Sequence, residues 1–318
     1  MNLNILILAG GMGTRMKSSL PKVMHSICGR PMLYHIVETS GMLDPEKIIL
    51  LIGNGSEMVR DYFEEENISV EYAYQHEQLG TGDALRCAVP SIDRDSEVII
   101  LSGDVPLIRK DTLEQLYDRH CDGGNAVTVL TMEPENPFGY GRIIKDRENN
   151  VIDIAEEKDA DNKQRAIREV NTGIYCMKGS FIIDSIDEID NNNAQNEYYI
   201  TDLIRIASKK KLTVDSLITH SNSEVLGVNN RSQMAVVESI MLETRKREMM
   251  KNGVTMRLPG TIYIDHDATV GRDVIIESSV TLKGRAVIED NCRIGAGSYI
   301  RDKRIVKGTV IKPGTVID

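Results

Sequence analysis

Residues 5–24 read ILILAGGMGTRMKSSLPKVM, an apolar run that leads into a glycine-rich and basic stretch. A glycine-rich turn after a buried strand exposes backbone N–H groups in a concave arrangement that suits anions. Arg15 can hold a phosphate through two parallel hydrogen bonds, and Lys22, which follows Pro21, supplies a mobile positive charge. The stretch therefore predicts a binding site for a polyphosphate.

Two known phosphate-binding patterns fail on this stretch at the same residue. The patterns G-x-x-x-x-G-K-[ST] and G-x-G-x-x-G both require a glycine where the chain has Met16. The alternative, a structural glycine turn with solvated lysines, is weakened by the charge pattern around it. No Asp or Glu occurs between Met1 and Val37, although the whole chain of 318 residues has a formal net charge of −10. A basic window in an acidic protein favours a pocket for an anionic ligand.

Composition excludes several classes of function. The negative net charge argues against general binding of nucleic acid or anionic membranes, which needs a basic surface. The five cysteines form no C-x-x-C pair, so reduced thiols are expected. No apolar stretch approaches the roughly 18 residues that span a bilayer. We expect a cytoplasmic protein without a membrane-inserted segment.

The first part of the chain has the pattern of an α/β fold. The short β-branched runs 5–9, 48–52, 98–101 and 127–130 read as buried strands and alternate with helical segments. This alternation predicts a mostly parallel, Rossmann-like sheet with helices on both faces. Ligands of such sheets bind beyond the carboxyl ends of the strands.

A hexapeptide repeat follows near the end of the chain. An aliphatic residue recurs at every sixth position, and the series comprises Ile264, Val270, Ile276, Leu282, Ile288, Ile294, Ile300 and Val306. This period predicts a parallel β-helix, in which three hexapeptides form one coil, so that residues 264–317 make three coils. The predicted domains are a nucleotide-binding domain at 1–229, a connector helix at 230–252 and a short β-helix at 253–318.

Eight separated blocks of the sequence carry a resemblance to one family. The blocks begin at residues 8, 78, 102, 139, 155, 171, 197 and 227 and read LAGGMGTRMKSSLPKVMH, QLGTGDA, SGDVP, GYGRI, AEEKDA, NTGIY, EYYITD and GVNNR. Together they resemble the N-acetylglucosamine-1-phosphate uridyltransferases of the bacterial bifunctional type. The repeat resembles the left-handed β-helix of the same family. The resemblance implies transfer of uridylyl from UTP to N-acetylglucosamine 1-phosphate, which gives UDP-N-acetylglucosamine and pyrophosphate. It places the enzyme in the supply of cell-wall precursors.

The resemblance also implies the site residues. Arg15, Lys22 and Asp104 would be catalytic, and Asp104 and Asn229 would bind Mg²⁺. The substrate-binding residues implied by position are Leu8, Ala9, Gly10, Gly11, Lys22, Gln75, Gly80, Thr81, Ser102, Gly103, Asp104, Gly141, Glu156, Asn171 and Asn229. Within this set, Gln75, Gly80 and Thr81 would read the uracil, and Gly141, Glu156 and Asn171 would contact the amino sugar.

The chemistry agrees with these roles. Attack of a phosphate oxygen on the α-phosphate of UTP needs positioning and charge neutralisation and no covalent protein nucleophile. One carboxylate with one amide oxygen suits Mg²⁺, which keeps several waters and phosphate oxygens. Without the resemblance, Asp104 could equally be a turn-forming Asp before Val105 and Pro106, and Glu156 could belong to a solvated charge run.

The chain departs from its family in two ways. Gly10 stands where many relatives have Ala, and Ser102 stands where some have Tyr, although neither change removes a charge or a metal ligand. The resembled family places its acetyl-CoA site, with a basic histidine, in later coils than the three found here. His266, in the first coil, is expected to be a surface residue, so acetyl transfer is expected to be absent.

The sequence leaves two alternative functions open. The same reaction on glucose 1-phosphate or N-acetylgalactosamine 1-phosphate is the nearest alternative, and a non-catalytic regulatory homologue is the other. The presence of Arg15, Lys22 and Asp104 argues against a non-catalytic homologue.

Because three coils form a very small core, their faces need cover, and a homotrimer assembled through the β-helix is expected.

Overall fold

The structure is a computed structural model that describes residues 2–11, 13–53 and 55–318, so Met12 of the glycine-rich stretch lies outside the described residues. The chain forms two compact units. The first comprises residues 1–24 and 32–229, and the second comprises residues 25–31 and 230–318. In the described part of the chain, no helix is long and apolar enough to cross a membrane.

The first unit is built on a mixed, mostly parallel sheet. The strands before residue 230 are β1 (Leu3–Leu8), β2 (Ser26–Ile27), β3 (Arg30–Pro31), β4 (Lys47–Ile52), β5 (Glu71–Tyr74), β6 (Glu97–Ser102), β7 (Val127–Met132), β8 (Arg142–Lys145), β9 (Val151–Ala155), β10 (Val170–Lys178) and β11 (Val214–Ile218). The large sheet has the order β11-β7-β10-β6-β1-β4-β5, and β8 and β9 extend from β10. The strand β10 runs antiparallel to β6 and β7, whereas β1 pairs in parallel with both β4 and β6. The chain leaves β1 towards β4 on one side and returns to β6 on the other, which makes the carboxyl end of β1 the expected ligand-binding edge.

Helices cover both faces of this sheet. The helices of the chain are α1 (Met32–Gly41), α2 (Ser56–Glu65), α3 (Thr81–Ala88), α4 (Lys110–Asp122), α5 (Asn162–Arg165), α6 (Gly179–Ser185), α7 (Asp202–Lys209) and α8 (Arg231–Lys251). Apolar residues of α3, α6 and α7 pack with Leu6 and Ile100 on one face. Those of α1, α2 and α4 pack with Ile5, Ile7 and Ile99 on the other. Successive strand residues face opposite ways, so a strand buried on both faces reads as a continuous apolar run.

The four predicted strands are confirmed with small differences at their ends. The structure begins β1 at Leu3 and ends it at Leu8, so that Ala9 lies just beyond the strand. The strand β7 continues to Met132, two residues further than predicted. The ends differ because a strand stops where its pairing partners stop, and the apolar pattern does not mark that position.

The second unit contains the predicted hexapeptide β-helix. Its strands are β12 (Thr255–Met256), β13 (Tyr263–Ile264), β14 (Thr269–Val270), β15 (Ile275–Ile276), β16 (Thr281–Lys283), β17 (Val287–Ile288), β18 (Arg293–Ile294), β19 (Tyr299–Arg301), β20 (Arg304–Ile305), β21 (Val310–Ile311) and β22 (Val316–Ile317). They form three parallel sheets with the orders β12-β15-β18-β21, β13-β16-β19-β22 and β14-β17-β20. The inward aliphatic residues from Ile264 to Ile300 stack in an apolar core. Each strand therefore depends on the coils before and after it for its hydrogen bonds.

The prediction that Val306 continues the inward series is wrong. Ile276 pairs with Ile294, 18 positions later, but Ile288 pairs with Ile305, only 17 positions later. Ile305 is buried, whereas Val306 is 61% exposed. The coil is shortened just after Asp302, because two residues join Arg301 to Arg304 whereas three join Lys283 to Val287 in the coil before. Asp302 has a left-handed φ of 50°, as Gly284 has in that coil, and its carboxylate accepts a hydrogen bond from the backbone N–H of Arg285. The six-residue step then resumes through Ile311 and Ile317.

The second unit also includes α8 and the β2–β3 hairpin. The side chain of Asn230 caps α8 by accepting a hydrogen bond from the backbone N–H of Gln233. The hairpin is joined to this unit by a hydrogen bond from the backbone N–H of Cys28 to Glu238 on α8 and by an ion pair between Arg30 and Asp267. Residues 25–31 thus belong structurally with a part of the chain that lies more than 200 residues away in sequence.

Candidate active site

The glycine-rich turn leaves the carboxyl end of β1 and is tied to both neighbouring strands. The backbone N–H of Ala9 donates to the carbonyl of Leu51 at 2.8 Å, and that of Gly103 donates to the carbonyl of Leu8 at 2.9 Å. These bonds bring the ends of β1, β4 and β6 together. Backbone groups that follow these strands consequently lie at one edge of the sheet, as the strand order predicts.

A glycine inside the turn determines where Lys22 lies. Gly13 has a φ of 60°, and a Cβ at this position would lie 2.5 Å from Cβ of Lys22. Only glycine adopts this backbone conformation readily and leaves room for the lysine backbone to pack against the turn. Met16, where the two known patterns require a further glycine, is 1% exposed and is part of the core. The residue that breaks both patterns thus anchors the loop.

Four polar side chains converge beyond the ends of β1 and β6. The Lys22 ammonium group forms an ion pair with Asp104 and donates a hydrogen bond to Oδ1 of Asn229 at 3.1 Å. Nη2 of Arg15 donates to the same Asn229 oxygen at 2.7 Å. The backbone N–H of Val228 donates to the carbonyl of Asp104 at 2.9 Å, which holds the Asn229 segment beside Asp104. Residues up to 214 positions apart in sequence thus share one polar cluster.

The donor set of this cluster fits a divalent cation. A carboxylate oxygen of Asp104 and the amide oxygen of Asn229 both contact one positively charged atom, Nζ of Lys22. Hard oxygen ligands that already converge on one positive charge are the kind of site that Mg²⁺ prefers. The cation would replace the ammonium group of Lys22, whose flexible chain can turn towards a phosphate.

A cavity of about 290 Å³ opens beside this cluster. It is bounded by the residues that the sequence predicts for the nucleotide and by a few others. The lining residues are Leu8, Ala9, Gly10, Gly11, Lys22, Val23, Leu51, Gln75, Gln78, Gly80, Thr81, Ala84, Ser102, Asp104 and Glu197. The structure thus brings most of the predicted nucleotide-binding residues into one cavity.

The far side of this cavity is formed where α3 begins. Gly80 has a φ of 113°, and a Cβ here would lie 2.4 Å from the carbonyl oxygen of Tyr198. The hydroxyl of Thr81 accepts a hydrogen bond from the backbone N–H of Ile200 at 3.1 Å. The segment 198–200 therefore holds the start of α3 in place, and this start requires glycine.

The three residues predicted to contact the sugar form a second cluster outside the lining of this cavity. The backbone N–H of Asn171 donates to the carbonyl of Gly141 at 2.8 Å. A Cβ on Gly141 would lie 3.4 Å from Oε2 of Glu156. Oε1 of Glu156 accepts a hydrogen bond from Thr201 at 3.1 Å. Burial raises the pKa of Glu156, and the hydrogen bond from Thr201 opposes this only in part.

The amide side chain of Asn171 is fixed by its neighbours. Its Nδ2 donates to the hydroxyl of Tyr175 at 2.7 Å, and its Oδ1 accepts from the backbone N–H of Gly173 at 2.9 Å. The pairing of β10 with β7 is interrupted at this point, between Asn171 and Ile174. A Cβ on Gly173 would lie 3.5 Å from the hydroxyl of Ser102, so this irregular segment approaches the end of β6.

Three polar residues at the site, Gln78, Asp83 and Glu197, received no role from the sequence. Gln78 donates a hydrogen bond to the carbonyl of Gly10 at 2.6 Å, and Glu197 lines the cavity. Asp83 accepts a hydrogen bond from Gln75. Gln78 and Asp83 both belong to the block QLGTGDA, and Glu197 begins the block EYYITD, so the resemblance marked their segments but not their contacts.

Comparisons with known proteins now define the family. A nucleotidyl transferase family profile matches residues 4–223, and a bacterial transferase hexapeptide profile matches residues 264–302. The chain is 40% identical over 317 residues to the bifunctional protein GlmU of Lactobacillus johnsonii, covering 99% of this chain and 68% of that protein. The chain belongs to the GlmU family. It is also 39% identical to GlmU of Clostridioides difficile and 42% identical to GlmU of Pseudomonas entomophila, over 100% of this chain and 69% of each relative.

The GlmU family assignment confirms the predicted family and the predicted fold, and it makes the chain an enzyme of the nucleotidyltransferase class. A solved structure from Bacillus anthracis, described as a candidate glucose-1-phosphate thymidylyltransferase, shares the fold with a TM-score of 0.58. That likeness covers 75% of this chain and 94% of the other at 19% identity, so it bears on the fold alone.

Proposed function

We propose that this enzyme transfers uridylyl from UTP to N-acetylglucosamine 1-phosphate and releases pyrophosphate. The observation that carries the proposal is the convergence of Arg15, Lys22, Asp104 and Asn229 beside a cavity that opens at the end of β1. Two cations and two oxygen ligands at this edge are suited to phosphates and a divalent metal. The GlmU relatives support the choice of nucleotide and sugar.

The reaction needs no covalent bond to the protein. An oxygen of the sugar phosphate attacks the α-phosphorus of UTP, and the bond from that phosphorus to the bridging oxygen of the β-phosphate breaks. Arg15 and Lys22 carry the positive charge that neutralises the departing pyrophosphate. Lys22 leaves Asp104 when the nucleotide enters and pairs with a phosphate oxygen instead.

Asp104 and Asn229 would hold the metal, which we propose to be Mg²⁺. When bound, this ion supplies positive charge to the phosphate oxygens and lowers the repulsion between the two substrates. The chain's own part is to present two oxygens at a fixed separation. The hydrogen bond from Val228 to the Asp104 carbonyl maintains that separation.

We propose that Gly141, Glu156 and Asn171 contact the acetamido sugar. The support is their joint placement, since the backbone of Asn171 is bonded to Gly141 and Gly141 lies against Glu156. A Cβ on Gly141 would lie 2.9 Å from Cγ2 of Ile154, so glycine allows the close approach of this segment to the Glu156 carboxylate, which can accept hydrogen bonds from sugar hydroxyls. Gly173 brings the same segment close to Ser102 at the end of β6.

A panel assay tests the proposed function. Pyrophosphate release is measured with UTP, dTTP, CTP and ATP, each combined with the 1-phosphates of N-acetylglucosamine, N-acetylgalactosamine and glucose, with and without Mg²⁺. The expected result is the highest kcat/KM for UTP with N-acetylglucosamine 1-phosphate, and activity only with the metal. Highest activity with glucose 1-phosphate would replace the sugar, and no release with any pair would favour a non-catalytic homologue.

We propose that the enzyme is a homotrimer assembled through the second unit. The support is its small core and its exposed aliphatic residues, since Val310 and Val316 are 68% and 71% exposed. Packing three such prisms around a threefold axis covers one face of each and leaves no open surface of the same kind. Light scattering of the full chain should give about three times 35.5 kDa, and a constant monomer at micromolar concentration would contradict the proposal.

The state of the cysteines bears on where the protein is located in the cell. All five cysteines are free, which supports a reducing compartment and hence the cytoplasm.

The expectation that residues 1–318 transfer no acetyl group stays a prediction. Release of coenzyme A from acetyl-CoA in the presence of glucosamine 1-phosphate would contradict it.

A further inference from the structure

The carboxamide of Gln75 is held in one orientation at the base side of the cavity. Gln75 follows β5, is 8% exposed, and is positioned by a backbone hydrogen bond to the carbonyl of Ile52 at 2.9 Å. Its Nε2 donates to the carbonyl of Gly80 at 3.2 Å and to Oδ2 of Asp83 at 2.9 Å. Both amide protons therefore have a partner within the protein.

The nature of these two partners decides which way the carboxamide points. A backbone carbonyl and an ionised carboxylate accept hydrogen bonds and donate none. If the carboxamide of Gln75 turned over, its oxygen would face two other oxygens and both hydrogen bonds would be lost. Asp83 contributes more to this preference than Gly80, because hydrogen bonds to charged groups are about twice as strong as neutral ones.

The fixed carboxamide presents its oxygen towards Gly10. A Cβ on Gly10 would lie 3.3 Å from Oε1 of Gln75, and both residues line the cavity. Because Gly10 has no side chain, this oxygen is not covered from that side. The cavity thus offers a hydrogen-bond acceptor whose direction is set by residues behind it.

Asp83 is itself held by its surroundings. It lies in the first turn of α3 with its side chain 14% exposed, and Nη1 of Arg86 lies 3.8 Å from its Oδ1. Arg86 is in turn held by a hydrogen bond from its Nη2 to the carbonyl of Ile186 at 3.2 Å and by the ring of Tyr198, whose centroid is 4.7 Å from the guanidinium carbon. A carboxylate fixed in this way can determine the orientation of Gln75.

We propose that Asp83 is a positioning residue that makes the site select a nucleobase with an imide N–H. Uracil and thymine carry a donor at N3, whereas cytosine carries an acceptor at N3 and adenine an acceptor at N1. A fixed acceptor oxygen pairs with the first kind of base and opposes the second. The inference rests on the proposed nucleotidyl transfer and specifies how that site chooses its nucleotide.

The substitution Asp83→Asn tests this role with little change in shape. The new amide can donate to Oε1 of Gln75, which allows the carboxamide of Gln75 to turn over and present its NH₂ group to the cavity. The expected result is a fall of about tenfold or more in the ratio of kcat/KM for UTP to kcat/KM for CTP. The ratio should fall less in Asp83→Ala, because the carbonyl of Gly80 still favours the original orientation.

Asp202→Asn provides a matched control. Asp202 also lies in the first turn of a helix whose range covers eight residues, is paired with an arginine three positions later, Arg205, and has a side chain that is 14% exposed. Loss of a first-turn carboxylate should therefore affect the two helices alike. The expected UTP to CTP ratio of Asp202→Asn is that of the parent enzyme, and the two variants should have similar Tm values.

Binding measurements separate this inference from the proposed function. Calorimetric Kd values for UTP and CTP, with Mg²⁺, are obtained for the parent enzyme and for both Asn variants. A parent enzyme that binds UTP but releases no pyrophosphate would end the proposed function, while the change in Kd ratio would still decide the role of Asp83. A folded Asp83→Asn enzyme with the parental ratio would overturn the inference, as would a parent enzyme that binds neither nucleotide.

Discussion

The two ends of the cavity are held by different kinds of interaction. At the phosphate end, Arg15 and Lys22 lie on a loop, and their charges are met by Asp104 and Asn229. At the base end, Gln75 and Gly80 are held by backbone geometry and by the start of α3. In the proposed reaction, the ion pair between Lys22 and Asp104 separates when substrate enters, whereas Gln75 keeps its hydrogen bonds within the protein.

Under the proposed function, the phosphate end should affect the rate of catalysis and the base end should affect the choice of nucleotide. Charges that change partners during the reaction can stabilise its transition state more than its ground state, and such interactions raise kcat. A fixed hydrogen-bonding surface acts equally on the ground state and the transition state, so it governs which nucleotide binds. Substitutions at the phosphate end should consequently lower kcat, and substitutions at the base end should change KM and nucleotide choice.

The largest effect is expected for Asp104→Asn. This change removes the one carboxylate from the proposed metal ligands and from the ion pair with Lys22, so kcat should fall by about 100-fold or more. Asp184→Asn is the control, because it breaks a half-exposed ion pair with Arg94, and neither of these residues lines the cavity. Ordinary turnover in Asp104→Asn would remove this residue from the site.

A smaller loss is expected for Lys22→Ala, of about 10- to 100-fold in kcat with a modest change in KM for UTP. Lys47→Ala is the matched control, because Lys47 also pairs with an aspartate, Asp93, at 2.8 Å and is similarly shielded. Stopped-flow or steady-state measurement of pyrophosphate release gives both constants. A rise in KM alone would assign Lys22 to ground-state binding and would weaken the division between the two ends.

The smallest effect on kcat is expected for Gly80→Ala. The left-handed φ and the contact with the Tyr198 carbonyl make a Cβ costly, so stability should fall by about 1–3 kcal/mol and KM for UTP should rise. Gly253→Ala provides a control for the contribution of φ, because Gly253 has a φ of 98° and the nearest atom to a Cβ there lies 4.0 Å away. Equal loss of Tm in the two variants would show that the contact with Tyr198 is unimportant.

The resemblance named residues at both ends of the cavity, but it did not name the contacts that hold the base end. Lys22 and Asp104 could be expected to meet because each follows a strand, and the ends of parallel strands gather at one edge. The contact between Gln75 and Asp83 depends on how the loop from β5 to α3 folds, which no periodic pattern describes. Glu156 and Asn171 came from the resemblance alone, since Glu156 follows β9, and β9 does not pair with β10, which contains Asn171.

The hexapeptide repeat also contains a feature that its sequence pattern could not predict. The period of six gave the β-helix and most of its inward residues, because every coil repeats the same environment. The error at Val306 arose where one turn is a residue shorter than the others. The turn between Arg301 and Arg304 has two residues where the turn between Lys283 and Val287 has three, and an aliphatic residue stands at both 305 and 306, so the sequence pattern could not distinguish them.

The short coil makes Asp302 a point of tolerance to changes in chain length. One residue inserted after Asp302 would restore the 18-residue step, and Ile305 and all later residues would keep their inward or outward orientation. The same insertion in a coil of regular length would have to be absorbed as a bulge or would turn buried side chains outward. Insertion scanning along residues 264–317 should therefore show its mildest effect at this turn, which identifies it as the natural place to graft a peptide into the prism.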